Sequence, residues 1–322
     1  MRYVVCGVAA LVAAQAWAAD APKSGTYHTE DAVKLPPGRS WSGVTGVDIA
    51  PDGQTILVLD RCVAVKDCAA EEAMPIQKFD STGKRIAAFG AGRFVAPHGF
   101  YVDSGGNTWV TDYMGDGVRG HTVMKFSVDG ELLLTLGKPG VSGHDESTLN
   151  GPSDVVVAKN GDIFVADGHV AREPSYSRIV KYSRDGKFIK AWGKPGTGPG
   201  EFNFLHSIVI DNDGRILVAD RGNKRIQVFD QDGNFIAIYE GYGIPTSLAV
   251  DAKNNLYVLD MDSVDKDGSN DKRALFIGNA KDGKIAAVYP NPRAFEDIAI
   301  DRAGNIYAGS ILQKTFARII RD

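Results

Sequence analysis

The chain has 322 residues, 43% hydrophobic and 9% aromatic, so it can bury one large core or two small ones and reads as globular. Its 36 Lys+Arg against 40 Asp+Glu give a net charge of −4. That balance argues against nucleic acid as a partner, because phosphate binding needs a basic face.

The first twenty residues, MRYVVCGVAALVAAQAWAAD, place one Arg before an apolar run from Val4 to Ala14 and end in the small-x-small triplet Ala16, Trp17, Ala18. A run of that length is too short to span a bilayer and suits the middle of a secretory signal. The expectation is a signal peptide over 1–18 and a periplasmic or secreted protein over 19–322, monomeric and without a membrane span. Cleavage after Ala18 removes Arg2 and Cys6, leaving 35 Lys+Arg against 40 Asp+Glu. Cys62 and Cys68 remain, and in an oxidising compartment this pair reads as one small loop disulfide rather than a metal pair.

Next comes a repeat. The stretches GVDIAPDGQTILVLD, HGFYVDSGGNTWVTD, SDVVVAKNGDIFVAD, HSIVIDNDGRILVAD, TSLAVDAKNNLYVLD and EDIAIDRAGNIYAGS each read as two short apolar strands around a Gly/Asn turn. They end at Asp60, Asp112, Asp167, Asp220, Asp260 and Ser310, in steps of 40 to 55 residues. The first five are followed by a second alternating hairpin, such as IVKYSRDGKFIKAWG, so one repeat supplies the four strands of a propeller blade. The sixth copy runs out at ARIIRD, one strand short. An N-terminal strand, placed at Ala32 to Leu35, is expected to complete that blade and hide both sheet edges. No segment after the signal keeps a helical apolar period, so the fold class is all-β: one six-bladed β-propeller. The glycines of GKPGVSGHDESTLNGP and GKPGTGPGEFN precede no helix and are read as inter-blade loops, not phosphate cradles.

Overlaid without gaps, the six hairpins start at Gly46, His98, Ser153, His206, Thr246 and Glu296. The first strand of each blade lines the central channel, so these residues are expected to ring one mouth. Blades two, four and six then present His98, His206 and Glu296. Alternate blades stand about 120° apart, which lets three ligands converge on one ion. Two imidazoles and a carboxylate suit Zn²⁺ first, then Fe²⁺, Mn²⁺ or Co²⁺. The competing reading is a turn cap for each His and a solvated Glu296 beside Arg293.

The ends of the second strands return to the same mouth with Arg61, Tyr113, Gly168, Arg221, Met261 and Ile311. Arg61 and Arg221 offer forks for a carboxylate or oxyanion, although Arg221 equally suits an ion pair with a neighbouring blade. His169 and Tyr176, in GHVAREPSYS, are candidates for proton transfer over the metal. His28, His121 and His144 match no register and read as surface residues, and DSVDKDGSND lacks calcium-loop spacing and reads as a solvated acidic loop.

Blade segments such as GTGPGEFN and ILVADRGNKRIQVFDQDGNF resemble NHL repeats. PHGFYVDSGGNTWVTD, PSDVVVAKNGDIFVADG and LHSIVIDNDGRILVADRGNKRIQVF resemble the peptidyl-α-hydroxyglycine α-amidating lyase domain. In that family a zinc held by three histidines, with an Arg and a Tyr, cleaves a carbinolamide into an amide and glyoxylate. The resemblance implies His98 and His206 as two of the zinc ligands and Arg61 as the arginine. The third histidine of the family's P-H-D motif is matched by Glu296, within Phe295, Glu296 and Asp297. The tyrosine that follows a D-G pair is matched by His169, leaving three outcomes: His169 takes the role, Tyr176 swings in, or the role is lost. The family's structural calcium implies Val47, Phe100 and Asp297.

Three functions follow: an exported metal-dependent lyase acting on a small α-hydroxy or carbinolamide substrate, a non-catalytic propeller binding a ligand or protein, and a metal-dependent lactonase. The ring lacks an Asn, which argues against the lactonase.

Overall fold

The second strands are unbroken runs of apolar and β-branched residues closed by Asp. In blades 1, 3 and 4, Ile56–Asp60, Ile163–Asp167 and Ile216–Asp220 are buried at every position. The fourth strands carry the opposite pattern: Arg85–Phe89, Leu132–Leu136 and Phe188–Trp192 are mostly exposed or half-buried. Burial therefore falls from the middle of each sheet to its outer edge.

The computed structural model describes residues 27–33, 35, 40–61, 74–169, 176–265, 268, 271–291 and 293–321. Six four-stranded antiparallel sheets are arranged as blades. Their inner strands are Val44–Ile49, Pro97–Val102, Pro152–Val157, Leu205–Ile210, Pro245–Val250 and Asp297–Ile300, and neighbouring inner strands touch one another around the ring. Six separate apolar clusters fill the six gaps between consecutive blades, so each blade is stabilised by both neighbours. Among the described residues the only helical turn is a 3₁₀ segment, Arg221–Asn223, and no helix is long and apolar enough to cross a membrane. The expected signal peptide and the Cys62–Cys68 pair lie outside the described residues.

Blade 6 is built from both ends of the chain. Tyr27–Asp31 pairs antiparallel with Thr315–Arg321, Tyr27 opposite Arg321 and Asp31 opposite Ala317. The closing strand thus lies five residues before the stretch 32–35 read from the sequence. The following segment instead tucks Val33 into the cluster between blades 6 and 1, with Trp41 and Phe316.

The recurring terminal aspartate has a structural use. Asp112 accepts the backbone N–H groups of Val95 and Ala96 at 2.8 and 2.6 Å, and Asp167 accepts those of Asn150 and Gly151, both at 2.8 Å. Asp220 accepts the Asn203 N–H at 2.7 Å. Each carboxylate fixes the turn that feeds its own inner strand, a few residues before the position facing the channel.

Blade 1 departs from the ungapped overlay. Its inner hairpin turns through residues 50–55, between the paired Ile49 and Ile56, whereas blade 2 turns through 103–107, between Val102 and Thr108. The extra residue shifts the register, so Leu59 pairs with Gly46 while Ala166, Leu259 and Gly309 pair with Asp154, Ser247 and Asp297. The channel position of blade 1 is therefore held by Thr45, not Gly46.

Candidate metal centre and mouth of the channel

Thr45, His98, Ser153, His206, Thr246 and Glu296 line one small polar cavity, together with Asp154, Ser207 and Asp297. His98 and His206 are both 4% exposed and Glu296 is 6% exposed, so the solvated-Glu296 reading is set aside. Arg293 reaches Asp31 instead, at 3.3 Å.

Each imidazole is oriented by the next blade. His98 Nδ1 lies 2.8 Å from the Ser153 carbonyl oxygen, and His206 Nδ1 lies 2.6 Å from that of Thr246. A carbonyl only accepts, so both rings carry the proton on Nδ1 and keep an Nε2 lone pair for the cavity. The approach behind the first bond depends on Gly99, where a Cβ would collide with the same Ser153 carbonyl.

The third imidazole is His169. The ring nitrogens of His98, His169 and His206 include one donor atom each lying within 4.8 Å of one another, and all three residues are buried. Ring centroids are 4.1 Å apart for His98 and His169, 4.7 Å for His98 and His206, and 4.9 Å for His169 and His206. Burial, then the neighbouring imidazoles, hold His169 and His206 well below the usual imidazole range, so both are neutral with lone pairs available. Glu296 Oε1 stands 3.4 Å from His98 Nε2. His98 Nε2, His169 Nδ1 and Glu296 Oε2 are buried without a hydrogen-bond partner. Unpartnered buried acceptors are costly, about 1–3 kcal/mol each, unless a cation receives their lone pairs. The donor set of three imidazoles and one carboxylate fits a divalent transition metal.

Phe204, two residues before His206, is held at φ +57° with its ring 4.7 Å from that of His169. A bulky residue in the left-handed region costs on the order of 1–3 kcal/mol, strain that the packed site sustains.

The remaining expected residues separate into two groups. Arg61 reaches the mouth, donating from Nη2 to the Tyr113 hydroxyl with its guanidinium carbon 4.9 Å from that ring's centroid. Tyr113 stands edge-on to His98 and His169, at 5.6 and 4.6 Å. Arg221 takes the ion-pair arrangement with Asp262, Nε to Oδ2 3.0 Å, and lies over the Phe204 ring. Tyr176 is turned elsewhere: its ring stacks on His144 at 4.0 Å. The cause is Arg178, which binds Asp167 and the carbonyls of His144 and Thr148, drawing that loop against residues 176–178. The tyrosine at the histidines is thus Tyr113, present at the mouth in the sequence reading without a role.

Below the ring, Asp297 accepts the Val47 N–H at 2.8 Å and the Ser247 hydroxyl at 2.7 Å, while Phe100 holds the same register on blade 2 that Val47 holds on blade 1. Asp48 and Asp154 face the same channel, and burial raises them to about 7 and about 8. A carboxyl with a raised folded pKa stabilises the fold fully below its unfolded value near 3.8, and that contribution is lost as pH rises through the folded value. In chelator, the melting temperature is therefore expected to fall between about pH 5.5 and about pH 8.5, with a smaller fall in Asp154→Asn. Equal slopes for the two proteins would contradict this assignment.

Comparison with known proteins agrees with the architecture. A family model described as 6-bladed beta-propeller, DUF5128, matches residues 144–312. The chain belongs to this propeller family. Among relatives of this propeller, human NHL repeat-containing protein 3 is 43% identical over 141 residues, 42% of this chain and 40% of its own length. The probable peptidyl-alpha-hydroxyglycine alpha-amidating lyase pgal-1 of Caenorhabditis elegans is 39% identical over 150 residues, 45% of this chain and 40% of its own. Peptidyl-alpha-hydroxyglycine alpha-amidating lyase 1 of Drosophila melanogaster is 36% identical over 172 residues, 49% and 30% respectively. The matches thus span well under half of these relatives' length. In fold, the propeller is similar to a streptogramin B lyase structure (TM-score 0.61, 14% identity, covering 92% of this chain and 98% of that one). It is likewise similar to the gluconolactonase XC5397 of Xanthomonas campestris (TM-score 0.63, 14% identity, covering 88% and 87%). The relatives include propeller enzymes of lyase type at partial coverage.

Proposed function

We propose that this propeller is an exported, metal-dependent carbon–nitrogen lyase acting on a small α-hydroxy or carbinolamide substrate. The observation that carries the reading is the convergence of His98, His169 and His206 with Glu296 beside them, where His98 Nε2, His169 Nδ1 and Glu296 Oε2 are buried without a hydrogen-bond partner. The 36–39% identity to amidating lyases supports the reaction class. A signal peptide over 1–18 and a Cys62–Cys68 disulfide belong to the same reading. Val47, Phe100 and Asp297 remain the residues proposed for a structural calcium.

His98, His206 and His169 would hold the metal, with Glu296 completing the set. A divalent metal supplies Lewis acidity toward a substrate oxygen, and a carboxylate in its ligand set lowers that acidity. The chain's own residues do the rest. The Ser153 and Thr246 carbonyls hold His98 and His206 in their ligating tautomer. Phe204 covers one side of the His169 ring. Arg61 and Tyr113 stand at the mouth, where substrate enters. Carbinolamide cleavage needs no redox partner: the hydroxyl loses its proton, the C–N bond breaks as C=O forms, and the amide nitrogen gains a proton.

The test is glyoxylate release from an N-acyl-α-hydroxyglycine by the purified protein. Release that stops with chelator and returns with Zn²⁺ is expected; release indifferent to chelator would contradict the reading. A second reading, a propeller that binds without turnover, draws on the 43% identity to NHL repeat-containing protein 3, whose name assigns no reaction. It predicts bound metal without glyoxylate release.

A further inference from the structure

Three of the residues that ring the channel carry hydroxyls: Thr45, Ser153 and Thr246. Two of these hydroxyls turn back on their own blade. Ser153 Oγ donates to the Ala166 carbonyl at 3.2 Å and Thr246 Oγ1 to that of Leu259 at 2.8 Å, in each case 13 residues along the same hairpin. Thr45 breaks the pattern. It is 3% exposed, lines the same cavity, and its Oγ1 has no hydrogen-bond partner. The extra turn residue of blade 1 brings it there: a Cβ at Gly46 would run into Phe100, so Gly46 faces the packed side and Thr45 the channel.

The adjoining blade supplies the complementary atom. Val44–Ile49 of blade 1 lies against Asp297–Ile300 of blade 6, which Glu296 immediately precedes. The Glu296 N–H donates to the Gly309 carbonyl at 2.7 Å, so the side chain starts from a fixed backbone. Its Oε1 stands 3.4 Å from His98 Nε2, while Oε2 is buried without a partner, and the residue lines the same cavity as Thr45. A hydroxyl can donate and a carboxylate accepts, so the two oxygens are matched in kind. They do not bond to each other directly; one water between them, accepting from the threonine and donating to Oε2, satisfies both. Carboxylates that ligate a metal are themselves held by such hydrogen bonds.

We propose that Thr45 is the positioning residue for Glu296: through one bound water its hydroxyl holds Oε2, so that Oε1 alone is turned to the three histidines. Thr45 acts only through the carboxylate. The inference rests on the metal-centre reading for its effect on zinc, but not for the link between Thr45 and Glu296, and not on the bond that is cleaved.

A double-mutant cycle on the full chain, Thr45→Val with Glu296→Ala, tests it by competitive zinc titration. Thr45→Val should weaken zinc binding about 10–100-fold, the scale for losing a group that orients a ligand, and Thr45→Ser should restore it to within about twofold. In the Glu296→Ala background, Thr45→Val should change nothing further. Thr122→Val removes another buried hydroxyl without a partner, on the third strand of blade 2, and should bind zinc as the wild type does. Wild-type affinity in Thr45→Val, or a loss of equal size in the Glu296→Ala background, overturns the proposal. A wild type that binds no zinc ends the metal reading, and the cycle is then read on melting temperature in chelator. Non-additive shifts there uphold the link and additive ones overturn it. Glyoxylate release is scored apart: its absence in a protein whose zinc affinity depends on Thr45 through Glu296 removes the lyase reading and leaves this one standing.

Discussion

His206→Ala is expected to reduce transition-metal affinity roughly 100-fold or more and to abolish glyoxylate release. Loss of groups that merely orient a ligand already costs about 10–100-fold, so loss of a ligand itself sets a larger scale. Leu205–Ile210 places His206 in the channel, the Thr246 carbonyl fixes its tautomer, and burial keeps it neutral. With Nδ1 bonded to the Thr246 carbonyl, His206 keeps the Nε2 lone pair to offer. The variant should remain folded, because His206 contributes to a polar cavity rather than to the apolar gap between blades 3 and 4. Inductively coupled plasma mass spectrometry after dialysis, beside circular dichroism, reads both outcomes. A variant that retains a full equivalent of metal would remove His206 from the ligand set.

The second large effect is on stability. Asp220→Ala should lower the unfolding free energy by about 3–5 kcal/mol, the scale for leaving one partner of a buried ion pair alone. Asp220 is fully buried and holds Arg225 Nε at 2.7 Å, Gln227 Nε2 at 3.0 Å, Asn223 Nδ2 at 2.9 Å and the Asn203 N–H at 2.7 Å. Arg225 in turn donates to the Thr197, Gly198 and Glu201 carbonyls, which shape the loop leading into blade 4. Removing the carboxylate strands a buried guanidinium and releases the turn three residues before His206. For a chain of this size the loss corresponds to a melting temperature lower by roughly 5–8 °C. Asp112→Ala, whose carboxylate accepts the Val95 and Ala96 N–H groups, should cost about 1–3 kcal/mol. Differential scanning calorimetry distinguishes them, and equal costs for the two would contradict the ion-pair account.

How far the sequence reaches can be followed residue by residue. The blades were legible because a repeat that cannot bury its faces alone must stack, and its fully apolar second strands announce which strand lies inside. His98 and His206 were legible for the same reason, since identical hairpin lengths put them in one register. Blade 1 was not, because one added turn residue moves every side chain of the inner strand by a position and brings Thr45 to the ring. A signal for it exists: the turn aspartates Asp103, Asp211, Asp251 and Asp301 stand nine positions before the end of their hairpins, and Asp52 stands eight. The gathering of His169 with the ring histidines was not legible, since it depends on where a residue after the second strand points, and only the Gly168–His169 backbone bonds to Gly151 settle that. Tyr113 was missed as a site residue because its place beside His98 and His169 depends on how Arg61 of blade 1 meets the neighbouring blade 2, a side-chain contact that hairpin register does not show.

The central claim is that the mouth of this propeller holds one transition metal through His98, His169, His206 and Glu296. Elemental analysis of the purified wild type beside His169→Ala and Glu296→Ala tests it most directly. The account predicts about one equivalent of metal per wild-type chain, with affinity falling roughly 10–100-fold or more in each variant. A wild-type chain without stoichiometric metal, even after exposure to Zn²⁺, would contradict it.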